Sequence, residues 1–221
     1  MEKIIIVFAI ALFAPQIAQA EGTIYLSNLG QPSTGSLAVG SNSWPAAGFR
    51  AGNNPSGYTL DSIQLGMTDA SGTPSGFTVM LYGGAAVAPV PIDRLVTLNG
   101  SLNPVIAGTY TYIAPANFTL SPNAHYFIVL TAGTAVADGA YGWSVAGASS
   151  YNPSDGWSSQ GGVWTSSNGS GSLPDWDSTS AFPQFAINAT AIPEPSVLGL
   201  SALGGLLLTW PRWKARKGVP H

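Results

Sequence analysis

Between two apolar terminal runs, the hydrophobic positions of this chain alternate or cluster in short groups cut by Gly and Pro. Their period is two rather than the 3.6 of a helix, so the expected elements are β-strands. The first is Thr23 to Ser27, and after a Gly- and Ser-rich linker a second is expected over Trp44 to Phe49. The clearest is Tyr58 to Met67, where Tyr58, Leu60, Ile63, Leu65 and Met67 nearly alternate with small or polar neighbours. The single slip, at Asp61-Ser62, has the form of a β-bulge. A turn is expected over Asp69 to Gly76, then a strand in which Phe77, Val79 and Leu81 share one face.

After a Pro-rich loop from Ala85 to Pro91, further strands are expected over Ile92 to Leu98 and Gly108 to Ile113, with a short one at Phe118 to Leu120. The run from Ala124 to Leu130 is apolar enough to be buried on both faces, as a central strand would be. Tyr141 to Val145 and Phe185 to Asn188 are late strands around a long polar stretch. Many short strands without crossover helices predict an all-β fold, an antiparallel β-sandwich of jelly-roll type.

The termini follow different rules. Lys3, an apolar run from Ile4 to Phe13 and the small-x-small triplet Ala18-Gln19-Ala20 predict a secretory signal peptide over residues 1–20, cut after Ala20 by signal peptidase. At the other end, Ile192-Pro193-Glu194-Pro195-Ser196 is followed by an apolar run from Val197 to Trp210 and by Arg212, Lys214, Arg216 and Lys217. As a helix that run is about 22 Å long, and continuing it to Trp213 brings it near the roughly 30 Å bilayer core. The basic cluster stays on the cytoplasmic side, so the body of the chain is expected on the far side.

The three ordered parts over 192–217 resemble the PEP-CTERM sorting signal of exopolysaccharide-producing Gram-negative bacteria. The resemblance implies recognition, and cutting near Pro193-Glu194-Pro195, by an exosortase in the inner membrane, with delivery to the cell surface or extracellular matrix. Trp210-Pro211-Arg212-Trp213 departs from the usual compact basic block, which bears on the efficiency of cutting. The alternative for the same residues is an unprocessed single-span anchor. Within the body, residues 21–191, the stretch from about Glu21 to Ile187 is similar to the choice-of-anchor R domain. The similarity is carried by Tyr58 to Ile63, Gly76 to Tyr82, Leu120 to Leu130 and Gly142-Trp143. It implies a secreted protein ending in a surface-anchoring signal and brings no catalytic residues with it.

Composition narrows the partners. The chain has 221 residues, no cysteine and a formal net charge of −3. Five of its seven basic residues lie in the two terminal segments, leaving Arg50 and Arg94 against eight carboxylates between residues 21 and 192, a charge of −6. A body so poor in cations cannot neutralise a row of phosphates, so nucleic acid is not expected as a partner. Without cysteines there are neither disulfides nor thiolate metal sites, and stability falls to the core.

Candidate chemistry is sparse. His125 is the body's lone histidine and sits in an apolar strand, and no nucleophile-elbow, zinc-helix or phosphate-loop spacing is present. Asp175 and Asp177 would share one face of a strand, as a glycosidase pair requires. With Trp176 between them and Ser and Pro around them, a solvated loop or a weak calcium site is the expected use, and no complete oxygen-ligand loop surrounds them. No cofactor is expected. Tyr151, Trp157, Trp164 and Trp176 lie among Ser, Asn, Gln and Asp. Either they close the core and pin the long loop, or they offer faces on which sugar rings stack. Trp143 is expected in the core.

The sequence therefore predicts a non-enzymatic protein, held transiently in the inner membrane and then placed at the surface or in the matrix. A carbohydrate-binding module for exopolysaccharide is the alternative, and a glycoside hydrolase ranks after it.

Overall fold

The structure, a computed structural model, describes residues 22–84, 90–148, 151–167 and 176–194. In chain order its strands are β1 (Thr23–Ser27), β2 (Ser33–Val39), β3 (Trp44–Arg50), β4 (Tyr58–Gly72), β5 (Thr78–Gly84), β6 (Pro91–Leu98), β7 (Gly108–Ile113) and β8 (Thr119–Leu120). They continue as β9 (His125–Thr131), β10 (Gly139–Ala146), β11 (Ser158–Ser159), β12 (Val163–Ser166), β13 (Asp177–Thr179), β14 (Phe182–Pro183) and β15 (Phe185–Ala191). Every pairing is antiparallel.

The described strands form two sheets. One runs β1-β15-β4-β10-β14, with β2 on β10 and β7 and β8 on β4. The other runs β13-β12-β3-β9-β5-β6, with β11 on β3. Side chains from both meet in one interior: Leu60, Ile63, Leu65 and Ile187 from the first pack with Phe49, Val79, Leu81 and Ile128 from the second.

β4 shows how the sequence produces this. Against β15, Ser62 pairs with Asn188 but Leu60 with Ala189, so Asp61 is the extra residue of a bulge. The insertion turns Leu60 and Ile63, three positions apart, onto the same buried face. β9 holds the centre of its sheet, and Tyr126 to Leu130 are all buried. Tyr126, Ile128 and Leu130 enter the interior, while Phe127 and Val129 enter a separate cluster on the other face.

Aromatic rings close one end of the interior. Trp157 stacks on Tyr25 at 5.2 Å and on Phe49 at 5.9 Å, and meets Tyr58 edge-on at 4.9 Å. Trp143, expected in the core, is fully buried, and its indole N–H donates to the Gln184 carbonyl at 3.0 Å.

Three expectations are corrected. The Gly- and Ser-rich segment read as a linker contains β2, which pairs with β10 from Tyr141↔Val39 to Ala146↔Ser33. Its residues are largely exposed and small, so no buried stripe marked it. β4 runs on to Gly72 where a turn was expected, because Thr68 to Gly72 find backbone partners in β10. The long polar stretch carries β11, β12 and β13, held by β3 and by one another rather than by a hydrophobic period.

Candidate functional site

Alternation along β3, β9 and β5 makes the second face of their sheet as legible as the first. Pairing puts Ala46, Val129, Met80 and Thr97 in one row, extended by Trp164 and Ser178. The next row is Gly48, Phe127, Tyr82 and Arg94, and the one beyond it begins with Arg50 and His125. On this outer face Ala46, Met80, Tyr82, Phe127, Val129 and Trp176 form a buried cluster, with Trp44 and Trp164 half-buried against it.

Phe127 is the floor of this cluster. Trp164 meets its ring edge-on at 5.1 Å. Its flanks are glycines for a steric reason: a Cβ on Gly48 would lie 2.7 Å from Cε1 of Phe127, and one on Gly84 would collide with the same ring. The Gln160 side chain crosses above Gly48, with its Cβ 2.9 Å from that same position. Polar residues border the cluster, including Thr78, Thr131, Thr97 and Ser178.

Among the described residues, the charged side chains of this face are arginines. Arg50 lies directly opposite His125, and Arg94 directly opposite Tyr82. Arg50 is held by Asn123, donating from Nε to its carbonyl at 3.1 Å and from Nη2 to its Oδ1 at 2.8 Å. Burial pushes the Tyr82 phenol up, and the Arg94 guanidinium beside it acts in the opposite, weaker sense. Neither guanidinium is paired with a carboxylate among the described residues. The aspartates of these strands fall on intervening rows. Asp93 pairs with Gly83, itself opposite the inward-facing Tyr126, and Asp177 pairs with Thr165, so both belong to the other face.

The four aromatic residues proposed for sugar stacking are thus divided. Trp164 and Trp176 come together on the outer face. Trp157 is only 2% exposed, clamped between Tyr25 and Phe49, and offers no free ring. Tyr151 packs on Phe185 at 5.3 Å and donates its hydroxyl to the Pro183 carbonyl at 3.1 Å. Burial raises its phenol to about 12. The polar neighbours of Trp157 are turn residues, as in the Trp157 N–H to Ser154 carbonyl bond; they did not signal exposure of the ring.

Asp177 is exposed in β13, and Asp175 lies outside the described residues. Among the described residues no group of three or more His, Cys, Asp or Glu is placed to hold a metal. His125 Nδ1 and the Trp176 indole N–H are buried without a hydrogen-bond partner. Trp44, Tyr82, Arg50 and Arg94 were not picked out as members of a site. The only signal for them was parity along each strand relative to its core residues.

The second candidate stretch is where the described residues end. Ile192 is tied on both sides of its backbone: its N–H donates to the Gly57 carbonyl at 3.0 Å, and its carbonyl accepts from Asn54 Nδ2 at 2.9 Å. Pro193 and Glu194 follow at once and are exposed. Pro195, the apolar run at 197–210, and Arg212, Lys214, Arg216 and Lys217 lie outside the described residues, as do Ala18 and Ala20. No helix among the described residues is long and apolar enough to cross a membrane.

No family model, curated protein or solved structure matches this chain. Its function has to be argued from its own residues.

Proposed function

We propose that this is an exported, non-enzymatic surface or extracellular-matrix protein, its body a jelly-roll β-sandwich of choice-of-anchor R type and its end a PEP-CTERM-like sorting signal. The observation that carries this reading is the order of parts at the C-terminal end, Pro193-Glu194-Pro195, an apolar run and a basic cluster. The tie at Ile192 supports it: among the described residues, the last hydrogen bonds to the backbone fall at Ile192, directly before an exposed Pro193-Glu194.

In this reading signal peptidase cuts after Ala20 during export, and the apolar run halts the chain in the inner membrane with Arg212 to Lys217 on the cytoplasmic side. Two prolines hold the tripeptide extended, without the helical hydrogen bonds that would shield it from an exosortase-type protease. Replacement of Pro193, Glu194 and Pro195 by Ala is expected to leave uncut precursor in the membrane fraction. Normal release of that variant would contradict the sorting reading.

A second reading, that the body also binds carbohydrate, is favoured by one observation. Half-buried Trp44 and Trp164 lie on a single sheet face bordered by hydroxyl side chains. Indole faces supply apolar area to a sugar ring, and neighbouring hydroxyls fix its orientation. Affinity electrophoresis in polysaccharide gels tests it, since a purely structural protein migrates unretarded.

A further inference from the structure

We propose that the outer face of the β3-β9-β5-β6 sheet binds an acidic polysaccharide, with Arg50, His125 and Arg94 meeting its carboxylates while Trp44 and Trp164 stack on its rings. The proposal rests on the carbohydrate-binding reading and adds the class of the polymer.

The argument begins with charge. Between residues 21 and 192 the chain carries two arginines and one histidine against eight carboxylates. Scattered at random, three such groups would seldom share one face of one sheet. Here Arg50 and His125 are direct cross-strand partners, and Arg94 lies on the same face, one row along and on the fourth strand across. At about 4.8 Å between strands, the two arginines stand roughly 15 Å apart, so they can meet successive charges of an extended polymer but not one small anion.

Arg50 is already oriented by Asn123 at 2.8 and 3.1 Å, without a carboxylate among the described residues to neutralise it. Asp93 and Asp177, the acidic residues of these strands, are turned away by the strand register. A body of charge −6 repels polyanions in general, so an acidic ligand is admitted only where the cations are gathered. Trp44 and Trp164 lie on the same face, three and two rows from Arg50 along the strands, and are diagonal neighbours of each other through the Trp164↔Ala46 and Ser166↔Trp44 pairs. Their flat faces add ring contact that a simple anion exchanger lacks.

The test is affinity electrophoresis of the full-length chain in native gels containing polygalacturonate, with hydroxyethylcellulose as a neutral polymer. Retardation in polygalacturonate that exceeds retardation in the neutral gel is expected. Arg50→Gln with Arg94→Gln should weaken it about ten-fold, the size two partly exposed charge contacts supply. Trp164→Ala, which changes no charge, should weaken it about five-fold. The terminal basic cluster is identical in all variants, so retention that survives the double arginine change arises elsewhere and overturns the proposal. Equal retention in both gels, insensitive to the arginines but lost in Trp164→Ala, overturns the acidic class while leaving the carbohydrate reading. No retention in either gel removes both. Unchanged circular dichroism and melting temperature of the arginine variant keep loss of binding distinct from loss of fold.

Discussion

The chain builds two aromatic clusters on opposite faces of the same sheet, and they differ in what covers them. The interior cluster of Tyr25, Phe49, Tyr58 and Trp157 is sealed by both sheets and contains no charge. The outer cluster of Tyr82, Phe127, Trp164 and Trp176 is covered by Trp residues from β12 and the segment before β13, and is bordered by two arginines and a histidine. Residues of one chemical type thus serve two ends. Where rings are enclosed they supply stability, and where they border solvent, near arginines with no carboxylate partner among the described residues, they form the face proposed to bind polysaccharide.

The sharpest break between the two regions is Trp157→Ala. Removing an indole stacked on two rings should cost about 3–5 kcal/mol in urea unfolding, while any survivor keeps its interaction with polysaccharide. Gly48→Ala should cost about 1–3 kcal/mol, because the new methyl group meets Phe127 and Gln160 and the outer cluster has to shift. Unlike the Trp157 change, it should also disturb retention in polygalacturonate gels.

A smaller effect is read from pH. Burial holds Tyr151 at about 12, above the ordinary value near 10, so the neutral phenol is favoured in the folded state. Its contribution is complete below pH 10 and is lost as pH rises through 12, so stability should fall over that window. Tyr151→Phe should cost about 1 kcal/mol at neutral pH through the lost bond to Pro183 and should flatten that part of the alkaline fall. Smallest of all, Arg50→Gln with Arg94→Gln should change stability by only about 0.5 kcal/mol while abolishing most of the retention. A stability loss as large as that of Trp157→Ala would show that the two regions are not separable.

Much of the fold was legible because burial on one face writes a period of two. β7 and the first part of β4, bulge included, follow from alternation, and β9 from a continuous apolar run buried on both faces. β2, β11 and β13 did not, since their small or polar residues take their places through backbone pairing with β10, β3 and β12. The candidate site was half legible. Aromatic residues among polar ones mark Trp157 and Trp164 alike, and only the register separates the ring that stacks inside from the one that borders solvent. Arg50 and Arg94 are 44 positions apart and adjacent to nothing in sequence that links them; the sheet order β3-β9-β5-β6 brings them to one face.

The most direct test of the sorting account is the intact mass of the native protein recovered separately from the membrane and extracellular fractions. An extracellular species beginning at Glu21 and ending near Pro193-Glu194-Pro195 is the expected result. A membrane-bound species that retains His221, with no shorter form outside the cell, would contradict it.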